Sequence, residues 1–420
     1  MGALRTVAVH AAAGVFNGLY KLFCLGKRRD EVLFVSRKAD APSYDYLECG
    51  AAFKQRGLAP VYLTQRLGAK TVFPYAWLVL REIYHLARCR VCVIDRYDPV
   101  VCLIDFACES PTEAEALALH HDFPREPMVV QLWHAFGAFK KFGYQALDIA
   151  EGHSTEEATL FKIHRNYSWV VCSGEGARAG FAEAFACPKE RVVPLSRPTQ
   201  RRMRELAQQV AAAGESMRQT ADGQAEWEAG GQPQCEAAAQ ASAPRKSASR
   251  KPVVLFAPTI RKYDKTAHPV QDLMERAGEL FAQAPYETHW ALHPLESGKE
   301  AAGGVPAHVL EADFVVTDYS SIVYEAYLLG KRVVFFVPDI EHYRHSPGLN
   351  VDPTNVCPKL CARTQDELLA MLETWAQHPE TYPHEQLERF VDGAFEGSDE
   401  DPAADIADFV LRKLSESENN

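Results

Sequence analysis

Short apolar runs alternate along the chain with longer stretches in which apolar residues recur every three or four positions. Runs at 32–35, 61–63, 91–94, 129–133, 169–172 and 192–195 read as strands, and the stretches 44–56, 75–88, 156–166 and 176–185 as helices. The runs are continuously apolar rather than alternating, which is the pattern of parallel strands covered on both faces. Strand–helix alternation in turn implies a parallel sheet with right-handed crossovers. The rhythm breaks at 208–250, a segment rich in Ala, Gln, Gly, Ser and Glu with few aliphatic residues to bury, which reads as a linker; only its approach, 201–213, keeps helical character. It resumes with strands at 253–257, 289–293, 314–316 and 333–337 and helices at 270–283, 367–377, 383–390 and 403–414. The acidic run 396–401 reads as solvated surface.

Length and composition sharpen this picture. At 420 residues, 47% of them hydrophobic, the chain accommodates two domains with a core each. A net charge of −11 argues against a nucleic-acid partner. The 11 cysteines are odd in number, and Cys92 and Cys102 sit in apolar runs, as reduced thiols in a cytosolic protein do. Cys89 and Cys92, and more loosely Cys357 and Cys361, are spaced like metal ligands, but zinc requires a second well-placed pair. No apolar run reaches the roughly 18 residues of a spanning helix. Residues 4–27 carry Leu4, Val7, Ala8, Ala11, Val15, Leu19, Leu22 and Phe23 at helical spacing, interrupted by His10, Asn17 and Lys21, unlike a signal peptide. This segment is either a packing helix or a helix lying in the membrane interface, with Lys27, Arg28 and Arg29 on anionic lipid.

Polar residues concentrate where strands end, which is where open α/β sheets bind ligands. Thr317-Asp318-Tyr319-Ser320-Ser321 follows the strand at 314–316 and precedes a helix that Gly330 stops. The serines stand at the N-cap, where hydroxyls and free N–H groups can hold an anion. Thr259 and Arg261 follow the strand at 253–257 and suit phosphate, and His293 with Pro294 follows the next. Three consecutive strand ends therefore make a diphosphate site the favoured reading of the second half. In the first half, His134 ends a strand beside Trp133, with Gly137, Lys140, Lys141 and Gly143 close by in sequence, and suits a general base or anion ligand.

Trp133-His134, Pro258-Thr259-Ile260-Arg261, His293-Pro294, Thr317-Asp318-Tyr319-Ser320-Ser321 and Pro338-Asp339, in this order, resemble the CDP-glycerol glycerophosphotransferase family of teichoic acid primases and polymerases. Ala135 stands where that family usually has Gly, and Ser196-Arg197-Pro198-Thr199 lacks the Asp of its Pro-Arg-x-Asp motif. The resemblance implies an α/β, GT-B-like fold, two Rossmann-like domains facing a central cleft. It implies a CDP-glycerol or CDP-ribitol donor, a lipid-linked acceptor, release of CMP, no cofactor and no essential metal. It also implies peripheral attachment to the cytoplasmic face of the membrane, through its anionic surface, and allows a homo-oligomer. His134 and His293 would be catalytic; Thr259, Arg261, Thr317, Asp318, Ser320 and Ser321 would hold the CDP-alditol phosphates; Lys140 and Lys141 would support the acceptor or add charge.

The expected organisation is a membrane-association helix at 1–29, an acceptor domain at 30–207, the linker at 208–250, a CDP-alditol domain at 251–396, and an acidic segment with a last helix at 397–420. Two other functions fit the same motifs: a GT-B glycosyltransferase using a nucleotide sugar for cell-surface polysaccharide, and a non-catalytic CDP-alditol-binding module.

Overall fold

A computed structural model of the chain describes residues 3–66, 72–106, 126–149, 152–222, 251–259, 273, 276–291 and 307–418. They form two α/β units. One comprises Met1–Pro198, Tyr343–Asn350 and Asp392–Asn420, the other Thr199–His342 and Val351–Val391.

The first unit holds six strands: β1 (Glu31–Ser36), β2 (Ala59–Thr64), β3 (Val91–Ile94), β4 (Met128–Gln131), β5 (Trp169–Cys172) and β6 (Val192–Pro194). They pair in the order β2-β1-β3-β4-β5-β6, every pair parallel. Side chains from alternate positions feed two cores. Leu33, Cys92, Ile94, Val129 and Val170 face one side. Val32, Phe34, Val91, Val93, Met128 and Val130 face the other. Burial on both faces is why these strands read as unbroken apolar runs.

The second core is closed by the end of the chain. Helix Pro402–Glu418 presents Ala403, Ile406, Ala407, Val410 and Leu414 to it, a stripe at helical spacing, and packs on helix Tyr44–Gln55. The chain reaches this position through residues 392–397. Gly393 O accepts from Gly176 N at 2.8 Å, and Glu396 Oε2 from Glu175 N at 2.8 Å, so two N–H groups at the start of helix Glu175–Ala184 are satisfied by the returning segment. The approach is close enough to require glycine: a Cβ on Gly174 would lie 2.2 Å from Gly393 O.

Helix Ala3–Phe23 turns one side to the first core, with Tyr20 buried and Phe16, Leu19 and Phe23 packed beside it. Leu4, Val7, Val15 and Leu22 remain exposed, as do Leu25 and Trp77. Of the cations that follow this helix, Arg28 is drawn into the protein and donates to the carbonyls of Cys89 and Glu126, while Arg29 pairs with Glu31 at 2.7 Å on the surface.

The second unit holds β7 (Val253–Ala257), β8 (Glu287–Trp290), β9 (Phe314–Thr317), β10 (Arg332–Phe336) and β11 (Cys361–Ala362), in the parallel order β11-β10-β9-β7-β8. β8 lies nearer the N-terminus than the expected 289–293. As an edge strand it is partly exposed, so no apolar run marks its bounds. The helix expected at 156–166 is Thr155–Leu160, ended by left-handed backbone at Lys162, His164 and Asn166. Asn166 there donates to the carbonyls of Val101 and Ile104, both at 2.8 Å. Helix Pro198–Asp222 continues past 213, so the segment expected to be a linker starts as helix; 223–250 lie outside the described residues. Of the helix expected at 270–283, the described part is Ala277–Leu280. The described cysteines are free thiols, and Cys89 and Cys92 are buried.

Candidate active site

On the first unit, the carboxyl ends of β1, β3 and β4 are tied together by their own polar side chains. β4 ends in the fully buried Gln131. Its Nε2 donates to Arg96 O at 3.1 Å, and its Oε1 accepts from Trp133 N at 2.8 Å. Trp133 lies at φ 48°, a left-handed conformation that costs a non-glycine residue on the order of 1 kcal/mol or more. The surroundings hold it there. Arg197 Nη1 donates to Trp133 O at 2.7 Å, and the indole stacks on Phe142 with centroids 5.0 Å apart and meets Phe185 edge-on. Arg197 is itself buried, lies 4.1 Å over the Phe136 ring and has Asp45 at 3.7 Å. Such strain at a strand end is a mark of a functional turn, and here it carries His134.

The His134 ring lies near the backbone carbonyl of Asp95 and packs against Trp133 with centroids 4.4 Å apart. In a neutral imidazole one nitrogen donates and the other accepts, and the accepting nitrogen is the one a general base uses. The pKa of His134 is held well below the ordinary imidazole value, by burial first and then by Arg96, Lys38 and Arg197; the Asp95 carbonyl opposes them. His134 has an exposed surface although protein surrounds it, so water offsets part of the desolvation and the three cations are the firmer cause. The site thus keeps His134 neutral, the form a general base requires.

A buried ion network fixes the loops below. Asp98 caps helix Pro99–Leu103 through Val100 N and Val101 N and accepts from Arg37 Nε at 2.8 Å. Glu82 pairs with the same guanidinium. Burial alone would raise both carboxyls. Arg37 and the hydrogen bond from Glu82 reverse the shift at Asp98, whereas Glu82 remains well above the carboxylate range.

Lys140 and Lys141, on the same unit, lie in a segment that pairs with the returning chain. Lys140 bridges Leu349, and Lys141 N donates to Gly348 O at 3.0 Å. Gly348 has φ 92° and a Lys141 side-chain carbon 3.0 Å from where a Cβ would sit.

On the second unit, β7 and β9 end side by side, and Asp318 joins them. Its Oδ1 accepts from Thr259 N at 2.9 Å, Thr259 Oγ1 at 2.7 Å and Tyr319 N at 2.6 Å. Asp318 is buried and shapes the turn, and Thr259 gives its hydroxyl proton to that turn. Thr317 Oγ1 donates to Ala257 O at 2.9 Å, and Tyr319 OH to Asp339 Oδ1 at 3.0 Å. The fixed turn presents Ser320 and Ser321, both partly exposed, ahead of helix Ile322–Leu328; Ser321 makes no side-chain cap bond. Phe256, Pro258, Leu273, Val316 and Phe336 wall an apolar hollow beside Thr317 and Asp318. Arg261 and His293 lie outside the described residues.

Sequence reasoning singled out His134 but missed the residues that seat it: Gln131, Asp95, Arg96, Lys38 and Arg197. A polar residue closing an apolar strand was the available signal for Gln131. Arg197 was noted only as part of Ser196-Arg197-Pro198-Thr199, and nothing in that segment shows that it acts on a carbonyl 64 positions away.

A family profile described as CDP-Glycerol:Poly(glycerophosphate) glycerophosphotransferase matches residues 304–412, a stretch that includes the Asp318 turn and Pro338-Asp339. The teichoic acid ribitol-phosphate primase of Bacillus spizizenii is 26% identical over 374 residues, covering 81% of this chain and 82% of the relative. The chain is similar to members of the CDP-glycerol glycerophosphotransferase family. Another relative is the teichoic acid glycerol-phosphate primase of Bacillus subtilis, 20% identical over 69% of this chain and 70% of its own length. A structure of the wall teichoic acid polymerase TagF covers all of both chains at a TM-score of 0.62 and 14% identity. That likeness gives the chain a GT-B-like fold, with its two Rossmann-like units.

Proposed function

We propose that this protein transfers glycerol phosphate or ribitol phosphate from a CDP-alditol to a hydroxyl of a lipid-linked, teichoic-acid-type acceptor and releases CMP. The observation that carries the reading is the seat of His134: a strained turn held from both sides, with burial and the cations near the ring keeping it neutral. In this reading His134 takes the proton of the acceptor hydroxyl as its oxygen attacks the phosphorus bearing the alditol; the bond from that phosphorus to the CMP oxygen breaks. Positioning and charge stabilisation dominate phosphoryl transfer, and the second unit's Ser320 and Ser321, with Arg261 and His293, would supply them to the diphosphate. Thr259, Thr317 and Asp318 hold the turn that presents the serines. Lys140 and Lys141 are assigned to the acceptor.

The protein would work from the cytoplasmic face of a membrane. Among the described residues no helix is long and apolar enough to cross one. The exposed Leu4, Val7, Val15, Leu22, Leu25 and Trp77 support surface attachment.

Donor affinity and turnover, measured together, test the assignment. His134→Ala lowers CMP release about 10²–10⁴-fold, the usual contribution of a general base, and leaves calorimetric CDP-alditol affinity near that of the parent. Loss of donor binding with His134→Ala would place this residue on the donor instead.

A further inference from the structure

Several cations gather at the His134 edge, and two of them carry a donor that bonds nothing among the described residues. Gln131 fastens the Arg96 backbone to that of Trp133, and His134 lies near the Asp95 carbonyl, so 95–96 and 133–134 are neighbours. Ser36 Oγ donates to Asp95 Oδ2 at 2.9 Å and accepts from Lys38 N at 3.3 Å, which brings Lys38 to the same place. Arg197 arrives through the Trp133 carbonyl. Arg96 Nε and Arg197 Nε are both buried without a hydrogen-bond partner among the described residues, and Arg197 is only 5% exposed. Buried charged donors without partners are uncommon in native proteins, and each asks for a ligand or another explanation.

The charges that face this point are Lys38, Arg96 and Arg197 on one side and Asp95 and Asp45 on the other. Asp45 stands against Arg197. Asp95 is pushed towards its neutral form by burial, which Arg96, Ser36 and Lys38 oppose. The balance is positive even with both carboxylates ionised.

We propose that Arg96, with Lys38 and Arg197, binds a phosphate-type anion carried by a substrate beside His134. A guanidinium presents a planar fork that a phosphate accepts through two oxygens, whereas a neutral sugar offers no compensating charge. The inference rests on the transferase reading and names a substrate feature within it: a phosphate either on the acceptor, next to the hydroxyl that is attacked, or on the donor. Binding has a second effect. The cations that depress His134 are neutralised, so its affinity for a proton rises when the substrate is in place. A base strengthened by its own substrate is idle without one.

The experiment follows the His134 imidazole by nuclear magnetic resonance in the histidine-labelled full chain, its signal assigned by its loss in His134→Gln. Glycerol 3-phosphate and CDP-glycerol are added separately. Glycerol 3-phosphate is expected to move the signal and raise the apparent pKa by about one unit, as a neighbouring anion does. Arg96→Gln is expected to raise the pKa of the free protein and abolish the response. In turnover, Arg96→Gln raises KM about tenfold, the loss of about one charge-assisted hydrogen bond, for the substrate that carries the anion. A rise for an acceptor ending in an alditol phosphate, and none for the same acceptor without it, makes the acceptor the source; a rise for the CDP-alditol makes it the donor. Arg96→Lys restores part of the loss. The proposal is overturned if neither compound moves the His134 signal in the parent protein, or if both KM values stay within about twofold in a folded Arg96→Gln variant. The resonance arm does not depend on turnover, so failure of the transferase reading is told apart from failure of the anion site.

Discussion

At Trp133 and His134 a costly backbone conformation is kept so that one imidazole stands in a fixed place and protonation state. The pH dependence follows from its environment. Burial, and then Arg96, Lys38 and Arg197, hold the His134 pKa low, so the competent neutral form persists as pH falls. The acid limb of kcat/KM therefore lies below the ordinary imidazole value of about 6.5, and an acid limb at or above that value would contradict the assigned environment. Asp318 gives a second prediction. While buried, its Oδ1 accepts from three donors and its Oδ2 from Thr259 N at 3.1 Å, so an amide keeping Oδ1 in place would turn its NH₂ towards Thr259 N. Asp318→Asn is expected to lower stability in urea melts by about 1–3 kcal/mol and to weaken donor binding with it. An unchanged melting midpoint would show that these bonds do not hold the turn. Asp318 and His134 were visible in the sequence because each follows an apolar run. Arg197 and Arg96 were not, because the groups they serve are remote along the chain, and residue type alone does not distinguish a guanidinium holding a carbonyl from one in solvent.

At the scale of elements, buried strands were legible to within a residue or two, since coverage on both faces leaves an unbroken apolar run. The edge strand β8 was displaced because exposure erases that run, and β11, two residues long, is too short to show a period. The helix ending at Leu160 was drawn too long because left-handed residues leave no hydrophobic signature. The last helix was found by its stripe, but the stripe does not say which sheet it covers. Its place on the first unit makes Ile406→Ala expected to cost about 2–5 kcal/mol, as a large-to-small change in a core does, with loss of cooperative melting of the first unit. A cost below about 0.5 kcal/mol, the range of surface changes, would contradict that packing. Helix Ala3–Phe23 packs one side on the first unit, as one of its two readings expects, and leaves another apolar side exposed. Replacing Leu4, Val7 and Leu22 by Ser is expected to reduce sedimentation with anionic vesicles while the melting temperature stays constant. Equal sedimentation of both forms would remove the membrane assignment.

For the whole molecule, the alternation of strands and helices conveyed two parallel α/β units, but not that the chain returns twice to the first one, through Tyr343–Asn350 and again from Asp392. Periodicity reports how an element is covered, and only contacts report by what. The account of function comes down to which bond is broken in which donor. Purified full-length protein is incubated with a lipid-linked acceptor and, in parallel, with CDP-ribitol, CDP-glycerol and UDP-sugars, and the released nucleotide is identified. CMP should appear with one or both CDP-alditols only when acceptor is present, fall steeply with His134→Ala, and be accompanied by an acceptor heavier by one or more alditol phosphates. Release of UDP without CMP, or tight binding of a CDP-alditol with no CMP across several acceptors, would contradict the account.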